Sequence, residues 1–209
     1  MINLLIIIFT ISIIYLSVAG RFQSFINILM FQGIVLCGIA MLELKEISLA
    51  NLLFILLETL VVKAIIVPYF LGKLLKKNNL THDSTPNIPQ FTSLIINSSA
   101  IIFSFILAYN LHEEHIKITY FTASVSAMFT GIFLIISRRK IITHIIGYMV
   151  LENGIFLLSL AIGAELPMIV NTGILLDLFT SVLVLGFFVS KISNTFHTVE
   201  IEKLTELKD

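Results

Sequence analysis

The stretch Ile141–Gly163, IITHIIGYMVLENGIFLLSLAIG, decides the fold of this chain. It is longer than the roughly 20 apolar residues that carry a helix across the hydrocarbon core of a bilayer. Its one acidic residue, Glu152, falls near the middle. A charge at a transmembrane helix centre costs about 2.5–3.5 kcal/mol on insertion scales. Such a residue persists only if it pairs with another group, stays neutral or serves a function.

The rest of the chain repeats this pattern. Of 209 residues, 57% are hydrophobic and 12% charged, with a mean hydropathy of +1.03, outside the balance of soluble domains. The apolar residues come in blocks of about 20, not in the alternating ten-residue segments of an outer-membrane barrel. The expected fold is therefore all-α, a polytopic membrane bundle of about seven transmembrane helices. Reading apolar blocks against polar breaks places spans near 2–20, 23–44, 48–72, 91–110, 117–137, 141–163 and 168–190. The longest break, Lys76 to Gln90, carries Asn78, Asn79, Asp83, Ser84, Pro86 and Pro89 and reads as a solvent loop.

Lysine and arginine accumulate on the cytoplasmic side of membrane proteins. With seven spans, one side receives Arg21, Lys73, Lys76, Lys77, Arg138, Arg139, Lys140, Lys191, Lys203 and Lys208, and the other only Lys45 and Lys117. That split places the N-terminus outside and the tail 192–209 in the cytoplasm of a multi-pass protein of the cell membrane. Ser17-Val18-Ala19 loosely resembles a signal-peptidase site, but Met1 to Ser12 carries no lysine or arginine, so the first helix is expected to be retained. Cys37 is the single cysteine, which excludes an internal disulfide or a cysteine-ligated cluster from this chain alone. Any redox centre must belong to a partner.

An internal repeat organises the spans. Gly33-Ile34-Val35-Leu36 in the second echoes Gly154-Ile155-Phe156-Leu157 in the sixth, and Ile55-Leu56-Leu57-Glu58 in the third echoes Ile174-Leu175-Leu176-Asp177 in the seventh. Lys73 and Lys191 close the two units. The chain is thus expected to contain two parallel three-helix repeats, 1–77 and 117–191, joined through a loop and fourth helix over 78–116. Parallel repeats are a transporter architecture.

Six intramembrane side chains are candidates for a proton relay: Glu58, Lys63, His144, Tyr148, Glu152 and Asp177. His144, Tyr148 and Glu152 follow one another at four-residue steps and share a helix face, which Ser159 continues. His144 lies near the Arg138-Arg139-Lys140 cluster and Glu152 near the membrane centre, as a half-channel requires. A polar seam that only joins helices is the plainer alternative. Gly173, Asp177 and Ser181 share a face of the seventh span in the same way.

Glu58 and Lys63 are five residues apart, about 140° around an α-helix, so each should look to another helix, with Asp177 or Glu152 as the partner of Lys63. Pro68 removes a backbone donor and crowds the carbonyl of Ala64, which predicts a bend just past Lys63. The protonation of a buried carboxyl is set by loss of water against a neighbouring lysine, so a small movement of either shifts it. His112-Glu113-Glu114-His115 lacks the four-residue histidine spacing of the HExxH zinc motif and reads as a solvated turn. No phosphate loop, nucleophile elbow or nucleic-acid surface is evident. The chain is not expected to be a catalyst by itself, or to hold a metal or cofactor.

Gly147-Tyr148-Met149-Val150-Leu151-Glu152-Asn153-Gly154-Ile155-Phe156, then Gly163-Ala164-Glu165-Leu166-Pro167 and Leu175-Leu176-Asp177-Leu178, together with Glu58 to Pro68, resemble the E subunit of hydrogenase-4 and related membrane-bound complexes. Each three-helix unit is in turn similar to the small K subunit of respiratory complex I and to the C subunit of multisubunit sodium/proton antiporters. Those subunits carry membrane-centred glutamates in their second and third helices. Glu152 and Asp177 match that pattern in the second unit and Glu58 matches the third-helix acid of the first. Glu152 stands about one turn from the usual second-helix position, an aspartate replaces the third-helix glutamate, and Gln32 stands in place of an acid.

The resemblance implies a non-redox membrane subunit of an oxidoreductase complex that relays protons between antiporter-like subunits. Its partners would hold nickel-iron or iron-sulfur centres, and its own contacts would be other membrane subunits and the lipid bilayer, with no nucleic acid and no soluble substrate. A purely structural scaffold and a sodium/proton antiporter component are the alternative readings.

Overall fold

The computed structural model describes residues 1–43, 53, 56–77, 88–111 and 117–161. These residues form six helical elements: α1 Ile2–Val18, α2 Phe22–Glu43, α3, in which a π-helical stretch Leu57–Ile66 runs into an α-helix Val67–Lys77, α4 Gln90–Asn110, α5 Ile118–Ser137 and α6 Ile141–Ala161. Among the described residues the fold is entirely helical. α2, α4, α5 and α6 are each long and apolar enough to cross a membrane, and α1 is a shorter apolar helix. At 1.5 Å per residue the 22 residues of α2 extend about 33 Å, the thickness of the hydrocarbon core. The expected seventh span, 168–190, and the His112 to His115 turn lie outside the described residues.

Helix boundaries follow local chemistry. α1 stops where Ala19 turns to an extended conformation, its N–H still bonded to the Tyr15 carbonyl, and Gly20 and Arg21 turn the chain into α2. α4 begins directly after Pro89, whose ring cannot donate to a preceding turn. α6 is held at its start by Thr143, whose backbone N–H and hydroxyl both donate to the Lys140 carbonyl. α3 continues to Lys77, past the boundary expected at residue 72, because its last turns keep an apolar side: Leu71 and Leu75 are buried.

Around Pro68 the sequence predicts a bend, and what the structure has is a change of helix type. The wider π turns end at Ile66 and α geometry begins at Val67, so the proline is the second residue of the α segment. In a π-helix the backbone bond joins residues five apart. The 140° offset expected between positions 58 and 63 therefore does not apply, and their spacing corresponds to a single π turn.

Two apolar clusters fill the bundle at different depths. One gathers Leu16, Phe22, Phe25, Leu71, Leu134 and Ile142 near the end that carries Arg21 and Arg138. The other gathers Ile6, Phe9, Leu36, Ile39, Ala127 and Leu157 toward the opposite end. The buried polar residues Gln32, Glu152 and Asn153 fall between these clusters along α2 and α6. On the outside, α4 exposes Phe91, Ile95, Ile102, Phe103, Ile106 and Tyr109. Such a continuous apolar face is a liability in water and the normal surface in lipid.

Candidate functional site

Close backbone approaches fix the site before any polar contact is made. A Cβ added at Gly33 of α2 would lie 3.0 Å from the backbone and side chain of Ala64, so the glycine lets α3 rest against α2 beside Lys63. On the other side, a Cβ at Gly131 would meet the Gly147 carbonyl at 2.6 Å, and one at Gly154 the Ser124 carbonyl at 2.8 Å. Small residues of this kind let membrane helices touch along their backbones. α5 and α6 are thereby locked together, and with them the rotation of α6 that aims Glu152 inward.

Glu152 meets Lys63 at the centre. Lys63 Nζ lies 2.6 Å from Glu152 Oε1, with the two side chains only 5% and 6% exposed. The ammonium also sits over the Phe156 ring, 4.8 Å from its centroid, a favourable place for a desolvated cation. The second carboxylate oxygen, Glu152 Oε2, is buried with no hydrogen-bond partner among the described residues. Of the two partners the sequence offers Lys63, the structure provides Glu152; Asp177 lies outside the described residues. Position 58 belongs to the π stretch of α3.

Next to the ion pair runs a chain of neutral polar groups. Asn153 Nδ2 donates to Gln32 Oε1 at 3.1 Å, Gln32 Nε2 donates to Ser12 Oγ at 3.0 Å, and Ser12 Oγ donates to the Phe9 carbonyl at 2.6 Å. Three helices, α6, α2 and α1, are tied together at the depth of Glu152. The sequence flagged Gln32 only as a lost acid, and Ser12 and Asn153 were not singled out for a role. One available signal was that Gln32 and Asn153 each directly precede the repeated glycines Gly33 and Gly154.

The expected stripe on α6 is graded in burial. His144 and Tyr148 are half-buried and Glu152 is buried. Tyr148 packs against the apolar cluster at the Arg138 end. His144 Nδ1 lies 3.1 Å from the Lys140 carbonyl of its own helix. Ser159, farther along the helix, donates its hydroxyl to the Phe156 carbonyl three residues back.

Two charges at the helix ends are held by the bundle. Arg138 is 3% exposed, folded inward so that Nη2 donates to the Ala19 carbonyl at 3.1 Å and reaches the Ser17 carbonyl at 3.5 Å. It caps the C-terminus of α1, where a cation complements the helix dipole. Burial pushes its guanidinium down to about 10, which leaves it charged at neutral pH. At the opposite end Glu43 of α2 pairs with Lys117 and accepts a 2.5 Å hydrogen bond from the buried Tyr120 hydroxyl. Among the described residues no group of three His, Cys, Asp or Glu side chains could hold a metal ion.

The chain is similar at a distance to two kinds of protein. It is 24% identical over 191 residues to an uncharacterized protein of Mycobacterium tuberculosis, covering 90% of this chain and 86% of that protein. It is 35% identical over 78 residues to hydrogenase-4 component E of Escherichia coli K12, a match covering 37% of this chain and 36% of that protein, and equally to the Shigella flexneri protein of the same name. No family model and no solved structure matches. Together with its four long apolar helices, these matches point to a membrane protein with a distant relationship to a hydrogenase-4 membrane subunit.

Proposed function

We propose that this protein is a non-redox integral membrane subunit of a hydrogenase-type complex and that it relays protons through its buried charges. The observation that carries this reading is the Lys63–Glu152 pair, held away from water between two apolar clusters. Two opposite charges at 2.6 Å in a low dielectric interact strongly. His144 and Tyr148 lead toward Glu152 from the end that carries Arg138–Lys140, and Glu58 and Asp177 are the further acids of the relay. The basic end faces the cytoplasm in this reading, with the N-terminus outside.

In this reading the site belongs to two parallel units of three helices. Asn153 and Gln32, the amides preceding the repeated glycines, are 121 residues apart and hydrogen-bonded to each other. Contact between equivalent residues is what a two-fold axis between units produces. The same separation relates Val35 to Phe156, Leu36 to Leu157, Ile39 to Leu160 and Ala40 to Ala161, all in one cluster. It also relates Phe25 to Ile146, Ile28 to Met149 and Leu29 to Val150 in the other. These correspondences support the repeat.

The test is Glu152→Gln in the native complex, with proton translocation measured in membrane vesicles and complex content measured by copurification. The expected result is an assembled complex with translocation lost. Translocation at the wild-type level sinks the relay, and loss of the complex itself assigns the pair to a scaffold.

A further inference from the structure

The outward-facing cleft between α1 and α2 changes chemistry along its length. It has a volume of about 410 Å³ and runs from Tyr15 and Ser24 to Ile8 and Phe31. That is seven residues on each helix, about 10 Å at 1.5 Å per residue. The deep part is apolar, with Ile8, Ile11, Ile28 and Phe31, and of these Ile11 and Phe31 are exposed on the outside of the bundle. At the mouth, Tyr15, Ser24 and Asn27 supply polar groups within two helical turns of residues 19–21. Gln23 Nε2 donates to Asn27 Oδ1 at 3.1 Å, and the NH2 group of Asn27 brings two further donors.

The turn that joins the two walls of the cleft carries Arg21, and a second basic turn is pinned against it. Arg138 donates to the Ala19 carbonyl and reaches the Ser17 carbonyl, so residues 138–140 lie beside residues 19–21. Lys140 Nζ lies 5.3 Å from the ring centroid of Phe22, the residue after Arg21. Arg21 and Arg139 are exposed, as are Lys73 and Lys76 of α3, whose Leu71 and Leu75 join the apolar cluster at this end. Among the described residues no aspartate or glutamate lies there. The preference for basic residues on one side of a membrane asks only that they share a side. It does not ask that two turns be tied together, and like charges gathered in this way repel until an anion is seated among them.

We propose that the cleft between α1 and α2 binds an anionic phospholipid, with one acyl chain along Ile8, Ile11, Ile28 and Phe31 and its phosphate at Arg21. Tyr15, Ser24 and Asn27 then stand at the level of the glycerol esters, whose oxygens accept hydrogen bonds. The cleft has the gradient of a lipid molecule: apolar in the membrane, polar at the boundary where tyrosine is favoured, cationic at the surface. Basic pockets between membrane helices take anionic head groups for this reason. A transmembrane helix of a partner fits the cleft less well. Helix seats are built from small residues, as at Gly131 and Gly147, whereas this lining is mostly isoleucine, phenylalanine and tyrosine. The lipid site does not depend on the proton relay.

The chain contains no tryptophan, so one introduced indole reports on the cleft alone. The full chain carrying Phe31→Trp is reconstituted into phosphatidylcholine vesicles that contain, as a minor component, either brominated phosphatidylglycerol or brominated phosphatidylcholine. Bromine on an acyl chain quenches the fluorescence of an indole that it touches. Ile102→Trp, at an exposed position of α4 that does not line the cleft, is the control. Ile11→Trp, on the α1 wall, repeats the measurement if Phe31→Trp does not accumulate.

The expected result is stronger quenching by the anionic lipid than by the zwitterionic one at Phe31→Trp and equal quenching at Ile102→Trp. One basic residue near an anionic head group is worth roughly fivefold in relative affinity, so adding Arg21→Gln should reduce the preference by about that factor. Equal quenching by the two lipids at Phe31→Trp, or a preference unchanged by Arg21→Gln, overturns the site. Protection of Phe31→Trp from both lipids in the complex copurified with its partner subunits also overturns it, and assigns the cleft to a partner helix.

Discussion

The pairs α1–α2 and α5–α6 are built to the same plan and packed to opposite ends. Each is two consecutive apolar helices joined by a short turn, residues 19–21 in one and 138–140 in the other. In α5–α6, Gly131, Gly147 and Gly154 bring the backbones so close that a Cβ at any of them would lie within 2.8 Å of a neighbouring atom. In α1–α2, a Cβ at Gly38 would meet Leu5 Cδ1 at an ordinary 3.4 Å, and a cleft separates part of the pair. The tight pair carries the buried carboxylate of Glu152, and the loose pair has Gln23, Asn27 and Gln32 on its second helix. Precise placement of a charge needs a rigid support.

The largest expected effect comes from forcing the tight pair apart. Gly131→Val places branched carbon against the Gly147 carbonyl and the Leu151 N–H, atoms of backbone that cannot rotate away. Overpacking of a core costs about 1–3 kcal/mol and occasionally more, and a clash at 2.6–2.7 Å with backbone that cannot move aside is one of the cases that exceed that range, enough to keep the two helices from packing. The variant is expected to be lost from the membrane. Gly38→Val, the same change on the loose side, is expected to accumulate, because only the end of the flexible Leu5 side chain must move. Quantitative immunoblotting of membranes against thermal unfolding in mild detergent checks both, and equal tolerance at the two glycines would erase the contrast between the pairs.

Next in size is the charge pair that bridges the halves. Removing one partner of a buried pair costs about 3–5 kcal/mol, because the remaining charge is stranded without water. Lys63→Met is therefore expected to lower stability strongly while leaving Glu152 without its ammonium. Adding Glu152→Gln to Lys63→Met should recover a large part of the loss, since no net charge is then buried. A double-mutant cycle on detergent unfolding measures the recovery. Additive losses would mean that the two side chains act independently despite their contact.

Much of this arrangement was legible in the chain. Glu152 at the centre of Ile141–Gly163 marked the buried site, and the ends of α2, α4, α5 and α6 fall close to the polar breaks that delimit the apolar blocks. Other features were not legible, for identifiable reasons. Hydropathy cannot tell a loop arginine in water from Arg138 folded onto the carbonyl end of α1, because the partner is backbone and backbone leaves no mark in the sequence. The partner of Lys63 could not be chosen among acids of equal chemistry, since that choice depends on how Gly33 and Gly154 set the rotation of α2 and α6. The π stretch of α3 was invisible because periodicity arguments assume 3.6 residues per turn.

The smallest effect is expected at the rim, where the two halves meet again. Glu43 of α2 pairs with Lys117 at the start of α5, but Lys117 is 45% exposed, so water and salt screen the attraction. Exposed pairs contribute about 0–1 kcal/mol. What raises this one above an ordinary surface pair is Tyr120, whose buried hydroxyl loses its 2.5 Å acceptor when the carboxylate is replaced. Glu43→Gln keeps an acceptor for that hydroxyl and removes only the charge, so it should shift stability by less than about 1 kcal/mol and should lose even that at high salt. Glu43→Leu removes both, and the added cost of an unsatisfied buried hydroxyl, about 1–3 kcal/mol, should survive in salt. If the two variants are indistinguishable in a salt titration of detergent unfolding, the tyrosine contributes nothing, and the halves are joined at this end by apolar packing.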